Sequence, residues 1–191
     1  MWLRARALKQ FGRQEAGTSA VEFALVGPIY MLLLVGLIEL SMAMYNKFAL
    51  NGAVSAAANF ALVNASQVAL TSGSPDATTL AQNLALIVAD GHASNWANAT
   101  INVNNGPIAT LTSGVVTMTG TSANASCYCP TGSGANIVWG SAMTCGATCA
   151  GGGIAGKFVS IVATSQYASL FGASGIMPSQ TFTTSAVVET N

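Results

Sequence analysis

Charge is what this chain has least of. Lys and Arg number six and Asp and Glu six in 191 residues, 6% of the sequence, where an ordinary soluble domain carries about a quarter. A mixed, charged surface is therefore excluded. From Phe48 to Gly156 there is no Lys or Arg, only Asp76 and Asp90, so a nucleic-acid face, which needs clustered cations along the folded body, has nothing to be built from. No nucleic-acid partner is expected. Disorder driven by charge is excluded as well, because 51% of the residues are apolar. The polar surface must come from hydroxyls and amides, and 18 Ser, 18 Thr and 13 Asn are available.

Catalytic groups are equally sparse. His92 is the only histidine, no GxSxG or SxxK occurs, and the carboxylates are widely spaced. Residues 151 to 157 read GGGIAGK and satisfy GxGxxG and GxxxxGK on paper. The P-loop next requires Ser or Thr and finds Phe158, and both motifs require a following helix where Phe158-Val159-Ser160-Ile161-Val162 reads as a strand. The run is better read as a linker. No enzyme activity and no cofactor are expected. Asn-x-Ser/Thr triplets at Asn64, Asn98 and Asn124 matter only in a glycosylating host.

What the chain does have is one long apolar run. Phe23 to Met44 carries a single charge, Glu39, and as a helix at 1.5 Å per residue it spans roughly 33 Å, enough to cross a bilayer. Arg4, Arg6, Lys9 and Arg13 precede it and predict a cytoplasmic N-terminus, with residues 48 to 191 on the other side. A cleaved secretory signal competes, but its apolar core would be only about 7 to 15 residues. The acid-containing stretch Gln14 to Glu22 before the apolar run also argues against it.

The junction Gly17-Thr18-Ser19-Ala20-Val21-Glu22-Phe23 has the form of a type IV prepilin processing site: a Gly, a Glu after four intervening residues, then a long apolar helix. With Pro28, Gly36-Leu37-Ile38-Glu39 and, far along the chain, a Cys-rich loop leading to Lys157-Phe158-Val159 and Tyr167-Ala168-Ser169-Leu170-Phe171, it resembles the TadE-like family of the tight-adherence (Tad or Flp) pilus system of bacteria. The resemblance implies a minor pilin or pseudopilin of the bacterial inner membrane, crossing it once and able to enter the pilus. It also implies cutting between Gly17 and Thr18 by a prepilin peptidase, and partners among other pilins, the inner-membrane assembly platform and membrane lipid. Cleavage would leave two Lys against five acids, a formal charge of −3.

Glu22 then stands one helical turn from the new ammonium of Thr18 and near the positive end of the helix dipole. The resemblance implies pairing with a neighbouring subunit's amino terminus; otherwise Glu22 is a helix-start acid at the headgroup boundary. Glu39 is read as reaching to the outer interface, or as pairing with Lys47 of a neighbour. Pro28 removes one helix hydrogen bond, and with Gly27 and Gly36 leaves small surfaces for close helix approach.

The helix is expected to continue to Val63, because Leu40, Met44, Phe48, Val54, Ala57, Ala58, Ala61 and Leu62 keep an approximate 3.6-residue period. Ser74-Pro75-Asp76 reads as the start of a second helix and Asp90-Gly91 as its end. Strands are expected at 100–104, 115–119, 158–165 and 181–188. Cys127, Cys129, Cys145 and Cys149 lie in a loop otherwise rich in Gly, Ser, Thr and Asn. A Cys127 to Cys129 bridge would close an awkwardly tight ring, so two cross-loop disulfides are expected on an oxidising side of the membrane; a tetrahedral zinc site is the alternative.

The expected architecture is α+β and pilin-like. It has a basic leader (1–17), a transmembrane and stem helix (18–63), and a periplasmic domain (64–191) with a second helix, an antiparallel sheet and the Cys-rich loop 127–149. Alternatives are an unprocessed, single-pass membrane-anchored periplasmic binding protein and a type II secretion pseudopilin.

Overall fold

The computed structural model describes residues 16–68, 75–93, 95–120, 126–170 and 178–190. Most of the basic leader and the N-cap position Ser74 lie outside these. The chain divides into two compact units, Met1–Met42 with Ser169–Pro178, and Ala43–Ala168 with Ser179–Asn191.

Helix α1, Ala16–Val63, runs unbroken for 48 residues and contains Pro28. Its composition explains its length, since Ala, Leu and Met dominate and glycines are scattered singly. In the first unit it presents Val21, Phe23, Leu25, Val26 and Ile29 to Leu33 outward, all exposed. The 18-residue window that qualifies it to cross a membrane is 0% buried. A soluble core helix would hide such a surface.

The second unit begins where the helix acquires a sidedness. Leu50, Val54, Ala57 and Ala61 are buried at three- and four-residue spacing, while Ser55 and Asn59 stay exposed. They join one core with Leu80, Ala81, Leu84, Ala85 and Val88 of helix α3, Pro75–Ala89, which follows the short helix α2, Ala65–Val68. Asp76 in the first turn of α3 suits the helix dipole. At the other end, the Trp96 indole N–H donates to the carbonyls of Val88 and Ala89, both at 3.1 Å, and so covers the open C-terminal carbonyls.

The rest of the core comes from a five-stranded sheet: β1 Ala97–Val103, β2 Ile108–Thr112, β3 Val115–Thr119, β4 Phe158–Tyr167 and β5 Gln180–Glu189. The order is β3-β2-β1-β4-β5 and every pairing is antiparallel. Alternation along β1 buries Ala97, Ala99, Ile101 and Val103. Facing them in register, Ile101 pairs with Ile161 and Ala99 with Ala163, both also buried. From the other side of the unit, Thr184 of β5 donates its hydroxyl to the Asn51 side-chain oxygen of α1 at 2.5 Å.

The α+β architecture is the one expected, a long apolar helix followed by a domain with a helix and an antiparallel sheet. The sequence reading had no strand at 108–112. Strand β2 exists because two tight turns bracket it. Asn104 and Asn105 both take positive φ, with the Gly106 N–H bonded to the Val103 carbonyl at 2.9 Å, and Ser113-Gly114 form the second two-residue turn. Asn-Asn and Ser-Gly at these spacings are the hairpin signal that marks the strand between them.

Candidate functional site

The sequence singles out three groups of residues, and the structure places them apart. The first is the processing motif. Gly17 and Thr18 lie in the first turn of α1, and Glu22 and Phe23 follow on the next turn, both exposed, Phe23 by 74%. The Phe23 ring lies along the helix beside Gly27, one turn on, where a Cβ would meet its carbons at 3.7–3.9 Å. Five residues after Phe23, Pro28 is also exposed. Its missing N–H leaves the Ala24 carbonyl without its intrahelical donor, yet the helix continues through it.

The second is Glu39. Leu37, Ile38 and Leu40 around it are 61%, 49% and 45% exposed, but Glu39 itself is 0% exposed. The hydroxyl of Ser169, just beyond the end of β4, donates to Glu39 Oε1 at 2.6 Å. Within the single chain Glu39 is therefore covered by the protein rather than extended outward from the helix surface. An acid in an apolar helix needs its oxygens satisfied, and this chain satisfies one of them internally. Close by on the helix, the Ser41 hydroxyl returns to the Leu37 carbonyl at 2.7 Å, the usual way a serine hides its donor in an apolar helix. Ser169 is the residue the sequence reading missed as functional. No local signal marks it, because 130 residues separate it from Glu39.

The third group is the Cys-rich loop. Cys127 bonds to Cys145 with Cα atoms 4.9 Å apart, and Cys129 to Cys149 with Cα atoms 5.8 Å apart. All four sulfurs are used, so no thiolate set remains for the zinc alternative. The loop is held by isolated bridges, Cys127 with Met143, Tyr128 with Gly156, Thr131 with Val138 and Thr148 with Ile154. The buried Tyr128 ring meets Trp139 edge-on at 6.0 Å. Asn104, at the β1–β2 turn, reaches the Ser126 carbonyl at 3.0 Å and ties the loop to the sheet. The glycines of the GGGIAGK run turn the chain, Gly152 and Gly153 with positive φ, and β4 follows directly. No helix N-terminus stands there to cradle a phosphate.

Among the described residues, several clefts flank this loop. One of about 540 Å³ lies between the second disulfide, the Gly151–Gly153 turn, Phe158, Val187 and Glu189. A second, about 210 Å³, is lined in part by Asn102, Trp139 and Ser160, and the side-chain oxygen of Asn102 is buried without a hydrogen-bond partner. Neither brings a nucleophile and a base together. His92 sits elsewhere, edge-on to Tyr45 with centroids 5.3 Å apart and beside Trp96 at 5.6 Å, with its Nδ1 accepting the Ala93 N–H. Among the described residues no cluster of His, Cys, Asp and Glu could hold a metal ion.

Comparison with known families bears on the segment that carries the first two groups. Residues 17–59 match the model of a family described as TadE-like protein. The match begins at Gly17, takes in Glu22, Phe23, Pro28 and Glu39, and ends within the part of α1 that packs in the second unit. Over those residues the chain is similar to TadE-like proteins. No curated protein and no solved structure matches.

Proposed function

We propose that this TadE-like chain is a minor pilin or pseudopilin of a Tad-type pilus, a structural subunit rather than an enzyme. The observation that carries the reading is the coincidence of the TadE match with a helix whose apolar surface is bare. Such a surface requires either lipid or other helices around it. A subunit that passes from membrane to fibre needs both in turn.

In this reading the chain is inserted with its basic leader in the cytoplasm and residues 48 to 191 in the periplasm. A prepilin peptidase cuts the Gly17–Thr18 bond. Gly17 has no side chain to obstruct the enzyme, but the bond lies in the first turn of α1, so that turn must open for the backbone to enter an active site. The freed Thr18 ammonium and the exposed Glu22 carboxylate then supply opposite charges one turn apart, either within one helix or between neighbours. The assembly platform and other pilins are the partners that would take up the helix. The second unit, with its two disulfides and nearly charge-free surface, is what the assembled protein would display.

N-terminal sequencing of the membrane-extracted protein tests this. A mature chain starting at Thr18 is expected, and Gly17→Val should accumulate as uncut precursor. An intact Met1 in the wild type would instead favour a permanently anchored binding protein.

A further inference from the structure

The hydrogen bond between Ser169 and Glu39 fixes more than a carboxylate. If Phe23 marks the start of the hydrocarbon, about 20 residues of helix exhaust its roughly 30 Å. Glu39 then lies about one turn inside the boundary that faces the C-terminal domain. The Ser169 hydroxyl, 2.6 Å from Glu39 Oε1, is at the same depth to within a side-chain length. A backbone segment that follows β4 is thus carried to the level of the bilayer. It is suited to that level. Leu170 is 53% exposed, and no charged residue occurs from Phe158 to Val188. Beyond the buried Tyr167, Ala168 and Leu170 are the exposed residues up to position 170.

We propose that Ser169 and Leu170 lie in the interfacial layer of the bilayer beside α1, so that the protein touches lipid at two places. The occupant of the exposed Leu170 surface is lipid, because the hydrogen bond of the adjacent Ser169 to Glu39 sets Leu170 at the depth of the bilayer boundary. The arrangement shields Glu39 from hydrocarbon. This rests on the reading of α1 as the membrane anchor.

The test uses the full chain in phospholipid nanodiscs at one copy per disc, with spin-labelled lipids as quenchers. The native cysteines are all bridged, so Leu170→Cys can be labelled with an environment-sensitive fluorophore. Leu33→Cys, 61% exposed on the helix, and Val138→Cys, 63% exposed in the disulfide loop, serve as references. Leu33 should be quenched most by deep spin labels, and Leu170 by shallow ones, at least about twofold more than Val138. Ser169→Ala should reduce quenching at Leu170. Should Leu170 be as wet as Val138 while Leu33 is quenched, the inference is overturned and the anchor stands. Absence of quenching at Leu33 would sink the anchor reading and the inference together. A blue-shifted but unquenched Leu170 would mean that protein, not lipid, covers it. Unchanged quenching in Ser169→Ala would overturn the hydrogen bond as the tether.

Discussion

Within α1, residues 19 to 42 and residues 43 to 63 are both apolar and almost uncharged, yet they behave as two materials. The first stretch is exposed nearly all round and buries only Glu39. The second buries a stripe of Ala and Leu and keeps Ser55 and Asn59 outside. Apolar content does not separate them. What does is the angular distribution of polar groups: a helix with amides on one side has a water-facing side, and one ringed by Leu, Ile, Val and Met has none.

Core substitutions should separate the two stretches most sharply. Leu50→Ala, at a fully buried position, is expected to cost about 2–5 kcal/mol in chemical unfolding of the detergent-solubilised protein. Leu32→Ala, exposed on the first stretch, should change the same transition by less than about 0.5 kcal/mol. Equal losses would mean that the two stretches share one core. Removing the Cys127–Cys145 bridge, which spans 18 residues, should cost about 3 kcal/mol on a loop-entropy basis. Because the loop belongs to the second unit, Leu33 labelling in membranes should not change.

Ser169→Ala comes next, at about 1 kcal/mol, the usual net worth of a hydrogen bond. The effect should shrink in a Glu39→Leu background, which removes the acceptor, and a double-mutant cycle measures the coupling. Full additivity would dissolve the pair. Gly114→Ala should cost about 1 kcal/mol or slightly more. It forces a side chain into φ +77° and against the Asn95 side-chain oxygen, and should loosen the β2–β3 hairpin alone, as read by amide exchange.

Legibility followed the range of the interactions. The anchor helix, α3 and four strands could be read because periodicity and turn residues are local. Strand β1 starts at Ala97 rather than Thr100, since its extra pairs, Ala97 with Ser165 and Asn98 with Thr164, are made with a strand far along the chain. Strand β2 was readable in principle from its flanking Asn-Asn and Ser-Gly turns. The disulfide connectivity was narrowed by spacing and selected by the loop's own bridges. Ser169 was not legible as a partner of Glu39, because 130 residues separate them.

By itself, then, the sequence determined that this protein has a long apolar helix with the Gly17-to-Glu22 junction at its start and a polar, nearly uncharged body after it, because composition and short-range spacing suffice for those. Tertiary structure alone decided where the helix changes from bare to packed, and which hydroxyl covers its one buried carboxylate. Both depend on which distant segment the folded sheet brings alongside a given helical turn, and chain separation hides that from any local pattern.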